Sequence, residues 1–334
     1  MNKEFLDIAN QYLYCDNSNI EMKNLIEYYL NTIQLDKLTS LSQIKRENTV
    51  GNSLYVRASI EYSNKCKNHC KFCGMSLKNL SLLRYEISFE AAKREIDNIR
   101  RLPISNIHLV GGESHDINWN NVIEIIKYAT QCGFNVTIVL GEQDCDIYNK
   151  LYEAGARRYI LKFETSNPRL YNVYKSDKSL TNRIAHLLIL RDIGYKIGSG
   201  IIVGLPNTDL IDLVNDIILL LKLKPDMVSA SCFMPNQASE LYSEQPGNFE
   251  MLLRIISIYR ILFDNNPMIS CSSAGGLERQ IDILNAGANV ISTHITPPCY
   301  ANNFSMYSDK RIVTQFDSIK YIAEKTNMRI AEYI

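Results

Sequence analysis

The chain has 334 residues, and its 36 Lys and Arg are balanced by 36 Asp and Glu. An apolar fraction of 46% and a charged fraction of 22% are typical of a folded globular protein and exclude bulk disorder. The zero net charge gives no chain-wide attraction to nucleic acid or to anionic lipid. No apolar run approaches the roughly 18 residues of a membrane helix, and the first residues are too acidic for a signal peptide. We therefore expect a cytoplasmic protein without a nucleic-acid or membrane partner.

The predicted elements begin with short amphipathic helices in residues 1–50, after which strands and helices alternate. The predicted strands are Leu54–Ile60, Asn106–Val110, Asn135–Leu140, Arg158–Phe163, Lys196–Val203, Met227–Phe233, Met268–Cys271 and Val290–Thr293. The predicted helices are Phe89–Arg101, Trp119–Gln131, Asp146–Ala154, Leu170–Arg191, Leu210–Lys222, Glu250–Phe263, Glu278–Leu284 and Thr314–Thr326.

This alternation indicates an α/β fold built from parallel βαβ units. Eight such units close into a (βα)8 TIM-type barrel, although an open doubly wound sheet would give a similar pattern. We expect an N-terminal helical extension (1–50), a barrel (51–310) and a C-terminal helix that closes the barrel (311–334). In a barrel the chemistry lies on the loops that follow the strands.

Nine cysteines are present, and three of them lie together as Cys66, Cys70 and Cys73, directly after the first predicted strand. The other six are read as small buried hydrophobic residues, namely Cys15, Cys132, Cys145, Cys232, Cys271 and Cys299. Three thiolates at spacings of four and three can hold one compact iron–sulfur cluster and leave one metal position without a cysteine ligand. A zinc site that includes His69, and a CxxC redox motif, are the alternatives; the first lacks a second cysteine pair and the second a thioredoxin-like context.

This CxxxCxxC pattern, with Phe72 before its last cysteine, resembles the radical SAM superfamily over roughly residues 50–330. The resemblance implies that Cys66, Cys70 and Cys73 ligate a 4Fe-4S cluster whose open iron is chelated by S-adenosylmethionine (SAM). It also implies an anaerobic enzyme in which one electron cleaves SAM to methionine and a 5′-deoxyadenosyl radical.

Other motifs resemble the residues that hold SAM in this superfamily. Gly111-Gly112-Glu113 follows the second strand and resembles a motif that meets the amino group, although a plain polar turn would look the same. Arg183 matches an arginine that pairs with the carboxylate group of SAM, and a guanidinium suits this role because it can donate two parallel hydrogen bonds. Without the resemblance, Arg183 would be read as a solvated residue on a helix. The resemblance implies SAM contacts for four further residues, which are Phe72, Thr137, Glu164 and Val203.

Several stretches, among them residues 57–64 and 164–168, resemble a clade that includes biotin synthase, methylornithine synthase and the FeFe-hydrogenase maturase HydE. The extra cysteines of biotin synthase are absent, and Ser229 and Ser273 stand where methylornithine synthase has charged substrate ligands. The resemblance is strongest to HydE-like proteins and implies a small carboxylate-bearing substrate. A methylornithine-synthase-like mutase, sulfur insertion of the biotin or lipoyl type, and a non-catalytic iron–sulfur scaffold or sensor are the alternatives.

Four residues are candidates for work on the substrate. Lys162 stands where HydE has an arginine that binds the substrate carboxylate. A lysine keeps the positive charge but cannot form the two parallel hydrogen bonds of a guanidinium. Alternatively, Lys162 could form a structural ion pair. His294 could donate a proton, Cys271 could quench a radical or bind a ligand, and Tyr300 could cap the chamber together with Tyr307. Each of these could instead be simple packing.

The segment from Tyr62 to Tyr85 contains lysines and an arginine but no Asp or Glu. A basic segment beside a cluster would attract an acidic electron donor such as flavodoxin or ferredoxin. A solvated loop that balances the cluster charge is the alternative.

Overall fold

The structure is a computed structural model that describes residues 3–14, 20–176, 178–273, 275–306 and 313–331. Its strands are β1 (Ser53–Ser63), β2 (Asn106–Gly111), β3 (Asn135–Val139), β4 (Ala156–Ile160), β5 (Lys196–Val203), β6 (Met227–Cys232), β7 (Met268–Ser270), β8 (Val290–His294) and β9 (Arg329–Ala331). Its helices are α1 (Lys3–Tyr14), α2 (Ile20–Asn31), α3 (Leu35–Thr49), α4 (Phe89–Ile99), α5 (Trp119–Gln131), α6 (Cys145–Ala154), α7 (Pro168–Lys175), α8 (Leu180–Ile193), α9 (Leu210–Leu223), α10 (Phe249–Leu262), α11 (Gly276–Asn285), α12 (Pro298–Ala301) and α13 (Phe316–Lys325).

Strands β1 to β8 follow one another around a closed ring, because β1 pairs with both β2 and β8. All pairings between these strands are parallel. The predicted TIM-type barrel is therefore confirmed, and the open doubly wound sheet is excluded. Since the strands are parallel, the loops that leave their carboxyl ends meet at one rim of the barrel.

Side-chain caps set several helix starts near the predicted positions. Ser88 accepts a hydrogen bond from Ala91 N at the start of α4, Asn118 from Asn121 N at the start of α5, and Asp209 forms a capping box with α9. The buried faces of these helices then pack on the barrel.

The predicted helix Leu170–Arg191 is wrong as one element. Helix α7 ends at Lys175, and α8 begins at Leu180 after Ser179, whose side chain accepts from Asn182 N. The backbone at Ser176 has φ +30, which is incompatible with a continuous helix. The resulting connection brings Lys178 to the carboxyl-end rim.

Both ends of the chain pack on the outside of the barrel. Helix α1 packs on α8 and α3 on α10, while the Arg46 guanidinium donates to the Leu284 and Ala288 carbonyls beside the end of α11. Strand β9, which was not predicted, pairs with the start of β1. The predicted boundary at residues 310 and 311, Cys15 and Tyr307 lie outside the described residues. Within the described ranges, the helices are too short or too polar to cross a membrane.

Candidate active site

A cavity of about 750 Å³ lies inside the barrel and opens toward the carboxyl ends of the strands. Most of the predicted site residues line it, namely Cys66, Cys70, Phe72, Cys73, Gly111, Gly112, Glu113, Thr137, Lys162, Glu164, Arg183, Cys271 and His294. Two do not. Val203 is buried in β5 with its carbonyl accepting from Phe233 N, and the Tyr300 ring stacks on Tyr85 at 5.0 Å.

The cysteine loop leaves β1 and is clamped by one guanidinium. Arg84 donates to the Asn64 carbonyl at 2.7 Å, the Met75 carbonyl at 2.8 Å and the Ser76 carbonyl at 2.7 Å. Because these carbonyls flank the three cysteines on both sides, Arg84 draws the two ends of the loop together.

The same loop rests directly on the turn after β2. Gly112 N donates to the Ser63 carbonyl at 3.0 Å, and Lys67 N donates to the Glu113 carbonyl at 2.7 Å. A Cβ at residue 112 would lie only 2.2 Å from the Lys65 carbonyl oxygen. Glycine is therefore required here for the close approach of two backbones.

The donor set fits an iron–sulfur cluster better than a single metal ion. Cys66, Cys70 and Cys73 are free thiols that line the same cavity. Among the described residues, no three His, Cys, Asp or Glu side chains, the three cysteines included, lie close enough together to hold one ion. The buried hydroxyl of Thr137 lines the cavity and has no hydrogen-bond partner in the described parts of the chain, so it is placed to meet a ligand.

Beside the cysteine loop, two carboxylates and two cations form a buried ionic quartet. Glu113 Oε1 lies 2.6 Å from Lys178 Nζ, and Glu113 Oε2 accepts from Glu142 N at 2.9 Å. Arg183 Nε lies 2.9 Å from Glu142 Oε1, and Arg183 Nη2 lies 3.8 Å from Glu113 Oε2. Burial by itself would raise the pKa of Glu113, but Arg183 and Lys178 outweigh it and lower that pKa to about 2. Glu113 is therefore an anion over the whole working pH range.

Sequence reasoning did not assign a role to two members of this quartet, Glu142 and Lys178. Glu142 follows Gly141, whose φ is +75 and whose Cβ would lie 2.5 Å from the Glu113 side chain. The Leu140-Gly141-Glu142 string carried a weak signal for this turn, because only glycine suits it. Lys178 carried none, since it fell inside a predicted continuous helix.

Glu164 follows β4 at the same rim and lies between two lysines. Its backbone has φ +67, which is uncommon for a residue with a side chain. Its carboxylate lies 3.2 Å from Lys162 Nζ and 3.6 Å from Lys175 Nζ. Burial raises the pKa of Glu164, but Lys162 and Lys175 reverse the direction and lower it. Lys162 thus lines the cavity and already has a carboxylate partner, as well as Ser231 Oγ at 3.1 Å.

The interior of the barrel below this rim is basic. Arg57 Nε donates to Ser292 Oγ at 2.7 Å, and Arg158 Nη1 donates to Asn106 Oδ1 at 2.6 Å. Within the described ranges, neither guanidinium forms an ion pair with a carboxylate. Burial lowers the pKa of Arg57 to about 10, so it remains a cation at neutral pH. Sequence reasoning missed both arginines.

His108 lies between these two arginines and is neutral. Burial lowers the pKa of His108 most, and the positive charges of Arg57 and Arg158 lower it further, to well below the ordinary value. Closer to the rim, Cys271 is buried with Sγ 3.5 Å from the Gln280 carbonyl, and His294 Nδ1 accepts from Thr314 N at 3.2 Å. The cavity thus has a charged, basic interior and a partly neutralised rim.

The family model of the radical SAM superfamily matches residues 60–220. The [FeFe] hydrogenase maturase subunit HydE of Thermotoga maritima is 33% identical over 286 residues, which cover 85% of this chain and 82% of that protein. The 3-methylornithine synthase of Methanosarcina barkeri is 27% identical over 270 residues, covering 79% of this chain and 75% of that protein. The crystal structure of methylornithine synthase (PylB) has a TM-score of 0.84 at 23% identity and covers 97% of each chain, which shows the shared fold.

The chain belongs to the radical SAM superfamily of enzymes. Within it, its relatives are those of the group that contains HydE, methylornithine synthase and biotin synthase. Membership implies an iron–sulfur cluster and SAM as cofactors.

Proposed function

We propose that the protein is an anaerobic, HydE-like radical SAM enzyme that acts on a small carboxylate-bearing substrate. Cys66, Cys70 and Cys73 would ligate a 4Fe-4S cluster at the rim of the barrel. When bound, cluster and SAM together supply a 5′-deoxyadenosyl radical. One observation carries the proposal: the three thiols, the Glu113 and Arg183 side chains of the ionic quartet, and the two interior arginines line one continuous cavity.

SAM would lie across the rim. The Glu113 carboxylate would accept its ammonium group, and the Arg183 guanidinium would hold its carboxylate, for which a charge-assisted fork is suited. Glu164, Phe72 and Thr137, which line the cavity, are proposed as contacts on the nucleoside side of SAM. Val203 does not line the cavity, and its contact with SAM is proposed from the resemblance alone. Glu113 pairs with Lys178, and Arg183 pairs with Glu142. The buried charges of the quartet therefore compensate one another.

The substrate carboxylate would lie deeper, against Arg57 and Arg158. Lys162, the anchor expected from the sequence, is already paired with Glu164, whereas in the described parts of the chain Arg57 and Arg158 hydrogen-bond the neutral side chains of Ser292 and Asn106. A buried guanidinium without an acid partner favours an anionic ligand, since the anion compensates its charge. Lys162, Cys271 and His294 would then flank the reacting part of the substrate, while Tyr300 would support the wall through Tyr85.

A flavodoxin- or ferredoxin-type electron donor is proposed to dock at the cysteine loop. Part of the positive charge there is balanced, because Lys65 pairs with Glu86, and Lys71 and Lys78 approach Glu240. The remaining charge supports steering of an acidic partner at low salt. Charge reversal at Lys67 and Lys71 should slow reduction and flatten its salt dependence; an unchanged rate and salt dependence would remove this part of the proposal.

A cytoplasmic location is part of the proposal. The cysteines in the described ranges are free thiols, which suits a reducing compartment. Cys145 and Cys299 are exposed, so the expectation that they are buried was wrong.

The decisive test is Cys70→Ala in anaerobically reconstituted protein. We expect lost 4Fe-4S absorbance and EPR signal and lost 5′-deoxyadenosine formation, because two thiolates cannot retain the cluster in this geometry. Cys145→Ala, which removes an exposed thiol elsewhere, is the matched control and should behave as wild type. Full 5′-deoxyadenosine formation by Cys70→Ala, or stoichiometric zinc in place of iron in the wild-type protein, would refute the proposal.

A further inference from the structure

We infer that Lys178 is an exchangeable counter-ion of Glu113, which occupies this carboxylate until the ammonium group of SAM replaces it and then shifts to Glu142. The inference deepens the proposed function and rests on it, because it takes Glu113 as the receptor of that ammonium group. It assigns a specificity role to a lysine that lies in the short connection between α7 and α8.

Among the cations near Glu113, Lys178 makes the shortest contact. Its Oε1 is engaged by Lys178 Nζ at 2.6 Å, and its Oε2 accepts from Glu142 N at 2.9 Å with Arg183 Nη2 at 3.8 Å. The Glu113 side chain is only 3% exposed. An incoming ammonium group would therefore compete with Lys178 for the Glu113 carboxylate, and each cation weakens the hold of the other by repulsion.

A second carboxylate lies within reach of the displaced lysine. Glu142 Oε2 is already 3.3 Å from the same Lys178 Nζ. A lysine side chain has four flexible carbon–carbon bonds, and the Lys178 side chain is 20% exposed, so a small rotation suffices. Lys178 thus exchanges one partner for another without becoming an unpaired cation in a largely buried site, which would be unfavourable.

The exchange also conserves charge. Glu113 and Glu142 balance Lys178 and Arg183 before binding. The amino-acid end of SAM contributes one ammonium and one carboxylate, so the balance is the same afterwards. A ligand that lacks the ammonium group cannot displace Lys178, and the lysine therefore raises the selectivity for an α-amino acid end.

The test is equilibrium binding of SAM to reconstituted holoenzyme under anaerobic conditions, without turnover. The comparison ligand is the deaminated 2-oxo-acid analogue of SAM, which keeps the carboxylate and the sulfonium. In Lys178→Gln, we expect SAM to bind about three- to tenfold more tightly, the range of an ion pair of this exposure, and the analogue to change less than about twofold. Lys178→Met should behave likewise.

Two further variants sharpen the test. Lys67 also approaches Glu113 Oε1, but at 3.8 Å, so Lys67→Gln is the matched control and should have a much smaller effect. Glu142→Gln removes the second partner and should weaken SAM binding more in the wild-type background than in Lys178→Gln.

Weaker SAM binding in Lys178→Gln would overturn the inference, because it would make Lys178 a direct ligand of SAM. Equal changes for SAM and its analogue, or an equal effect of Lys67→Gln, would also overturn it. If the wild-type holoenzyme does not bind SAM at all, the proposed function itself fails, which is a distinct result.

Discussion

Replacing Gly112 by alanine tests how closely the cysteine loop is held against the turn after β2. The new Cβ would lie 2.2 Å from the Lys65 carbonyl oxygen and 2.8 Å from Cys66 Cβ. Ordinary contacts between such atoms need more than about 3 Å, so the loop would have to retreat by about 1 Å. No rotamer change can relieve the clash, because the nearest atoms belong to backbone and to a Cβ. Overpacking of this kind typically costs about 1–3 kcal/mol.

The loss should appear mainly in the cluster, since metal–ligand distances tolerate only about 0.2 Å. We expect Gly112→Ala to fold with a modest loss in free energy of unfolding but to retain much less iron and acid-labile sulfide after anaerobic reconstitution. Gly133→Ala is the control, because φ is +88 there but no atom lies within 4 Å of the new Cβ. It should lose about 1 kcal/mol of stability and no iron. Wild-type iron content in Gly112→Ala would refute the reasoning.

Three further predictions concern the interior of the protein. Burial raises the pKa of Asp216 from 3.8 to about 7, so the folded state binds its proton more tightly than the unfolded chain does. The free energy of unfolding should therefore fall as the pH rises from about 4 to about 7 and then level off, and Asp216→Asn should lack this slope in urea titrations; parallel curves would contradict it. Arg158→Met removes a buried cation that forms no ion pair with a carboxylate of the described residues, but it also leaves Asn106 Oδ1 without its donor, so the free energy of unfolding should change by less than about 3 kcal/mol, while stabilisation by small carboxylates in thermal unfolding disappears. His294→Phe should keep 5′-deoxyadenosine formation but convert less substrate per 5′-deoxyadenosine, whereas Tyr300→Phe, outside the cavity lining, should keep the wild-type ratio; equal ratios in both variants would argue against a role for His294.

The barrel could be predicted because its strands and helices have different hydrophobic periods. Strand β5 and helix α5 have the predicted bounds, Lys196–Val203 and Trp119–Gln131. The break between α7 and α8 could not be predicted in the same way. Its sequence, from Lys175 to Ser179, contains neither glycine nor proline, and the apolar period continues on both sides. A left-handed residue at Ser176 and a cap at Ser179 decide it, and both depend on tertiary packing.

The basic interior shows a second limit of the sequence. Arg157 and Arg158 are adjacent in β4, and alternate residues of a strand face opposite sides. Arg157 points outward and lies over the Tyr152 ring at 4.3 Å, while Arg158 is buried inside the barrel. To choose between the two arginines, one must know which residues of the strand face the barrel interior. An error of one residue in the register of the strand reverses that assignment. The cysteine loop had no such ambiguity, since the closeness of its three thiols depends on their spacing along the chain and not on the register of a strand.

The register of the strands also fixes the distance between the interior arginines and the rim. Arg57 pairs with Ser292 across β1 and β8, and two residues further along, Ser59 pairs with His294. At about 3.3 Å per residue, this next layer lies roughly 6.6 Å closer to the rim. If the carboxylate of a small molecule contacts Arg57, the other end of that molecule lies near His294. His294 belongs to the next layer of side chains toward the rim. A neutral molecule would leave the two arginines uncompensated, so the charge of the barrel interior favours an anionic ligand.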